Sequence, residues 1–184
     1  MWKTVKAGVV FGLAFGVMSP LTGCATAPQS AGARQSLKER ADATINEMIA
    51  RDPGIRNVLN VSLAYAVFPD VGKGGLIVGG AFGRGVLYEH GRMTGYVKIE
   101  QASLGAQIGA QSFAELLVLN DARAVRRIRE GSLALGADVG VVAVTSGAVA
   151  RAQFQNGVQA FLLPRGGMMA ELSLSGQRII FERG

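Results

Sequence analysis

Lys73-Gly-Gly-Leu-Ile-Val-Gly-Gly-Ala-Phe-Gly-Arg-Gly-Val-Leu87 is the stretch on which the fold turns. Leu76 to Val78 and Val86 to Tyr88 are short apolar runs, separated by Gly79, Gly80, Gly83 and Gly85. Short apolar runs bounded by glycine predict strands, and glycine at this density predicts strands that bend and approach one another closely. A phosphate cradle is the competing reading. It needs consecutive backbone N–H groups at a helix N-terminus. Gly72-Lys73 is followed by Gly74 rather than Ser or Thr, and no GxGxxG opens a helix. Sheet curvature is therefore the preferred reading.

The β texture continues downstream. Glu89-His90-Gly91-Arg92 predicts a hairpin turn, and Tyr96 to Glu100 a strand. Ser103 to Gln111 alternates, with Leu104, Ala106, Ile108 and Ala110 on one side and Ser103, Gly105, Gln107, Gly109 and Gln111 on the other. Leu116 to Leu119 is continuously apolar, as in a strand covered on both faces. Asn120 or Asp121 can cap a second helix, Ala122 to Glu130, that ends at Gly131. Val139 to Val144, Val158 to Leu163, Met168 to Leu174 and Arg178 to Phe181 complete the predicted strands.

Upstream, Ala64 to Phe68 reads as extended before Pro69, and Ile55 to Asn60 as a short helix. Ser36-Leu-Lys-Glu39 has the capping-box pattern. Leu37, Ala41, Ile45, Met48 and Ile49 recur at helical spacing until Asp52-Pro53-Gly54. The order of elements predicts an α+β fold. Its sheet is curved, glycine-rich and antiparallel, bending towards a barrel, with an N-terminal amphipathic helix and a second helix near 121–130.

The first 23 residues have a different character. Lys3 and Lys6 form a positive n-region, Ala7 to Met18 an uncharged apolar h-region, and Ser19-Pro20 a break. The apolar run is shorter than the ~20 residues of a membrane span. Leu21-Thr-Gly-Cys24 then has the form of a bacterial lipobox, with Cys24 the only cysteine of the chain. The expectation is a signal peptide over 1–23, diacylglyceryl and a further acyl chain on Cys24, a small polar tether over 24–35, and one folded domain over 36–184. One chain binds a membrane marginally, at about 0.8 kcal/mol per buried CH₂, whereas two or more hold firmly. Ala25, in place of an aspartate, favours the outer membrane with the domain facing the periplasm.

Composition narrows the function. Removal of residues 1–23, which carry two lysines and no acids, lowers the formal charge from +6 to +4. That modest basicity suits anionic head groups. With Cys24 lipidated, no disulfide, thiolate metal site or cysteine nucleophile is available. His90 is the only histidine, so no histidine pair exists for zinc, and Glu100 and Glu115 stand isolated in strands. The aromatic residues are sparse and not interleaved with basic ones, which argues against nucleic acid. The expectation is a protein that is not an enzyme and takes no cofactor and no metal.

Four blocks carry a family likeness. They are Lys73 to Leu87, Ser103-Leu-Gly-Ala-Gln-Ile-Gly-Ala-Gln111, Leu116 to Asn120 and Leu135-Gly-Ala-Asp138. In this order they resemble the SYLF-domain (DUF500) family, over about Ser36 to the C-terminus, in its bacterial lipoprotein branch. Thr94-Gly-Tyr-Val97 and Val144-Thr-Ser-Gly147 depart from the usual family pattern. The resemblance implies a non-catalytic lipid-binding module, in part through an N-terminal amphipathic helix. One family branch also binds actin, which a periplasm does not contain.

The candidate contacts are basic. Arg123, Arg126, Arg127 and Arg129 share the second helix, with Val125 and Ile128 turned inward. Arginine forks match phosphate oxygens, so phospholipid or lipopolysaccharide phosphates are the expected ligands; a solvated face balanced by Asp121 and Glu130 is the plainer alternative. The first helix can lie on a membrane, with Lys38 and Arg40 toward head groups, or pack its apolar stripe on the sheet. Lys73 completes the set. The alternative to a lipid-binding function is an envelope structural protein whose sheet surface binds a protein or peptidoglycan.

Overall fold

The computed structural model describes residues 27–75, 78–104, 110–136, 139–166, 174 and 176–183. The signal segment, Cys24, Leu76-Ile77, the centre of the Ser103–Gln111 alternation, Asp138 and the predicted strand from Met168 lie largely or wholly outside these residues.

Two helices come first among the described residues, α1 (Ala31–Arg51) and α2 (Gly54–Val61). Four long strands follow, β1 (Ala64–Gly75), β2 (Val78–Glu89), β3 (Arg92–Leu104) and β4 (Ala110–Leu119). After α3 (Ala122–Arg129) come β5 (Leu133–Ala134), β6 (Gly140–Ala143), the single turn α4 (Ala148–Arg151), β7 (Val158–Gly166) and β8 (Arg178–Arg183). Among the described residues eight strands form one sheet in the order β5-β8-β3-β2-β1-β4-β7-β6, curled into a half-barrel. The pairings among the described residues are antiparallel except β6 with β7, which is parallel. The α+β class and the bent glycine-rich sheet are as the sequence predicts.

Local chemistry explains the individual elements. His90 (φ 48°) and Gly91 (φ 74°) join β2 to β3, and positive φ at both central residues is the turn that matches strand twist. β1 does not stop at Pro69. It passes through with a bulge, its register shifting between Val67 and Asp70 against β2 and between Phe68 and Val71 against β4. Proline cannot donate to a ladder, and the bulge removes that requirement. The predicted alternating strand over 103–111 is corrected. Leu104 ends β3 opposite Val78, and Ala110 begins β4 opposite Gly74, so the stretch spans two strands and their connection.

The middle glycines serve close packing. A Cβ on Gly85 would strike the Val67 carbonyl oxygen and the Phe68 ring, and one on Gly95 the Glu182 carbonyl oxygen and the Phe181 ring. The inner face of the curl buries Phe68, Phe113, Leu117, Leu162 and Ile179, with Ala124 and Ile128 of α3. The outer face buries Val67, Leu116, Val118 and Phe161 beneath α1, α2 and α4. Leu116 to Leu119 alternate between these two cores, which is why that run is apolar throughout. Each large side chain so buried contributes about 1.5–3 kcal/mol relative to exposure.

Helix α1 starts at Ala31 rather than at Ser36. Ser30 caps it, accepting from Ala33 N–H at 3.2 Å. Its apolar stripe, Leu37, Ala41 and Met48, lies in the outer core. Of the two orientations open to this helix, packing on the sheet is the one observed. Asp52 closes α1 and holds α2 and α4. Its Oδ1 accepts from Gly54 N–H at 2.9 Å and its Oδ2 from Val149 N–H at 2.8 Å. Gln159 is fully buried and performs the same service for β6, donating to the Gly140 carbonyl at 2.9 Å and accepting from Gln153 N–H at 2.9 Å.

Candidate functional site

The second helix is built by its caps. Asp121 Oδ1 accepts from Arg123 N–H at 2.5 Å, and Gly131 (φ 64°) ends the helix with its N–H on the Ile128 carbonyl. Ala124 and Ile128 are buried, and Val125 packs against the inner core. Helical spacing then turns Arg123, Arg126 and Arg127 to solvent. Asn120 N–H donates to the Gly157 carbonyl at 2.7 Å, just before β7. At the other terminus, Arg129 donates through Nε and Nη2 to both carboxylate oxygens of Glu89, at 2.8 and 2.7 Å, on β2. The helix therefore lies across one end of the half-barrel, from β7 to β2.

The four arginines divide into two groups. Arg129 is committed to Glu89, whose carboxylate raises the guanidinium's affinity for its proton. Arg126 has no ion-pair partner among the described residues. Arg127 makes one long bond, from Nη2 to the Ser132 carbonyl at 3.4 Å. Arg123 and Arg127 stand at a cavity of about 370 Å³ whose walls include Leu133, Leu135, Val139 and Val158. This cavity sits where the chain passes from edge strand β5 to edge strand β6. The arrangement offers arginine forks beside a recess whose wall also carries Gln155 and Asn156, which suits an anionic group. Asp121 on the wall and exposed Glu130 beside Arg126 lower the local potential without cancelling it.

The other sequence candidates are placed elsewhere. Lys38 pairs with Asp42 at 2.6 Å and Arg40 with Asp70 at 2.7 Å, both at the surface of the α1 face. Asp42 also accepts from Tyr88 O–H at 2.6 Å, and Tyr88 stacks on Tyr65 with ring centroids 4.9 Å apart. Lys73 is buried on the inner face of β1, in register with Gln111 of β4. Cys24 lies outside the described residues. The structure thus gathers Arg123, Arg126 and Arg127 on one surface and separates them from Lys38, Arg40 and Lys73.

Two features escape sequence reasoning. Glu115 is fully buried on the inner face of β4, where burial pushes its carboxyl up to about 8 and a hydrogen bond from Gln177 opposes the shift. Its Oε1 has no hydrogen-bond partner among the described residues. Only its interruption of the apolar run Phe113 to Leu119 hinted at this. The second is the docking of Ala27 and Pro28, both buried, within what reads as a polar tether. Ala27 N–H donates to Glu182 Oε2 at 3.0 Å. His90 sits exposed in the β2–β3 turn. Among the described residues no group of three or more His, Cys, Asp or Glu side chains is arranged to hold a metal ion, and no helix is long and apolar enough to cross a membrane.

With this geometry in hand, comparison with known proteins gives one assignment. Residues 100–184, from the end of β3 to the C-terminus, match the family described as Ysc84, Las17-binding protein actin regulator, which is the SYLF family that the sequence resembles. The match supports a non-catalytic binding role. No curated protein gives a significant match.

Proposed function

Taking residues 100–184 as a SYLF-family domain, we propose that this chain is a membrane-anchored lipoprotein whose domain binds anionic lipid without catalysis. The single observation that supports this best is the outward face of α3, where Arg123 and Arg127 border a recess of mixed polar and apolar lining and exposed Arg126 stands on the same face. Arginine forks recognise phosphate oxygens in a bidentate manner. Cys24 carries the anchor, and the outer membrane, facing the periplasm, is its proposed site. No nucleic acid, metal or cofactor enters this function.

The test is co-sedimentation of residues 25–184 with phosphatidylglycerol vesicles and with phosphatidylcholine vesicles. Binding should require the anionic lipid and weaken between low and high salt, since exposed charges are screened within about 8–10 Å. Arg123→Glu with Arg127→Glu should abolish it in a domain that remains folded by circular dichroism. Undiminished binding by that folded variant would move the site off α3. Salt-independent capture on peptidoglycan or protein would favour the envelope-interaction alternative.

A further inference from the structure

We infer that the anchored domain stands on the bilayer by one end of its half-barrel, with α3 turned to the head groups and the docked N-terminal segment fixing that orientation. This rests on the lipid anchor proposed above.

From Ala27 onward the chain is docked on the fold. Ala27 is only 3% exposed and is bonded to Glu182 near the end of β8. Arg34 Nε donates to the Pro28 carbonyl at 3.0 Å, and the Arg34 guanidinium lies over the Tyr96 ring, 5.8 Å from its centre. Ser30 then starts α1. Only Ala25 and Thr26 separate Cys24 from this docked point. Three residue steps span at most about 10 Å. A lipid on Cys24 therefore holds the Glu182 corner close to the membrane surface.

That corner belongs to the same end of the sheet as α3. Glu182 and Arg183 pair with Tyr96 and Gly95, a few residues from Arg92, where β3 leaves the hairpin. Glu89, on the other side of that hairpin, holds the end of α3 through Arg129. His90 N–H donates to the Leu63 carbonyl, and Leu63 N–H to the Leu119 carbonyl, so the end of α2 and the exit of β4 meet there too. Val61 closes α2 at this end and is 76% exposed, the most exposed large apolar residue described. Exposed Arg92, Arg123, Arg126 and Arg127 share the end with it, against exposed Glu130. Cations beside an exposed aliphatic side chain are the combination that settles at a head-group boundary. Ser112, by contrast, lies seven residues back along β4, about 23 Å away.

The experiment uses the full lipoprotein reconstituted in phosphatidylglycerol-containing vesicles. With the Cys24 thiol consumed by lipid, a cysteine introduced by Asn60→Cys or Ser112→Cys is the only free thiol, and each is labelled with a fluorophore. A quencher carried on lipid head groups should quench the label at position 60 several-fold more than that at position 112. Equal quenching, or the reverse, in a protein shown by mass to be lipidated overturns the orientation alone. Unmodified Cys24 overturns the anchor and the orientation with it. Glu182→Ala with Arg34→Ala should narrow the difference in quenching; an unchanged difference overturns the role given to the docked segment.

Discussion

Gln177 Nε2 donates to Glu115 Oε2 at 3.4 Å although three strands, β3, β2 and β1, lie between β8 and β4 in the sheet. Side chains so far apart in strand order touch only because the sheet curls strongly. The contact is long, it leaves Oε1 of Glu115 and Oε1 of Gln177 without partners among the described residues, and it lies inside an apolar core. An uncompensated carboxylate in such a place is costly, so the acid form is the one the fold accepts.

Stability should therefore fall as pH rises. Glu115 has a folded-state pKa of about 8 against an ordinary 4.5. Below the ordinary value both states hold the proton. Between the two values the unfolded chain releases it and the folded chain keeps it, so stability declines by about 1.4 kcal/mol per pH unit, then levels off. Urea midpoints at pH 5 and pH 8 measure this, and Glu115→Gln should remove most of the difference. A wild-type midpoint that rises over that interval would contradict the assignment.

Asp52 joins three helices through two backbone N–H groups. Asp52→Ala leaves the Val149 N–H without its acceptor at a nearly buried position, a loss of about 1–3 kcal/mol. The urea midpoint should drop, and should drop less in Asp52→Asn, which keeps one acceptor oxygen. Equal midpoints for the two variants would mean that the carboxylate is not what ties α4 to α1.

Glycines of the sheet should sort by space. At Gly85 and Gly95 an added methyl meets backbone oxygen and an aromatic ring, so Gly85→Ala and Gly95→Ala should be poorly folded. At Gly72 nothing lies within 4 Å, and Gly72→Ala should be near neutral. Gly91 has open space but φ of 74°, so Gly91→Ala should cost about 1 kcal/mol through backbone conformation alone. Thermal midpoints of the four variants give the order directly.

Among the α3 arginines, Arg129→Ala should reduce anionic-vesicle binding less than Arg127→Ala. Its guanidinium is already held by Glu89, while that of Arg127 borders the recess. The lost ion pair has a half-exposed arginine and is worth no more than about 1 kcal/mol of stability. Dissociation constants for the two variants, at one salt concentration, decide the matter.

The sequence made the α+β class, both amphipathic helices, the His90-Gly91 turn and the inward set of α3 legible, because each rests on a local pattern or a short-range cap. It misjudged the 103–111 stretch, since alternation of small residues persists across Gly105 and Gly109 into the next strand. It missed β5, α4 and the parallel pairing of β6, which depend on contacts remote in the chain: β5 on β8, α4 on Asp52 and β6 on Gln159. The arginine cluster was visible as a composition, but its division between Arg129 and the other three required Glu89, 40 residues away. Burial of Lys73 and Glu115 follows from the curl, a property of the whole sheet.

The sheet ends on β5, two residues long, and β6, four residues long. An incompletely closed barrel keeps two free borders, and a long flat border invites a second molecule to add its own strand. Each of these outermost strands by itself offers only a few backbone groups to such a visitor. Under the proposed lipid anchor, copies would be crowded in two dimensions, and outermost strands this short would give them little template for stitching into fibres.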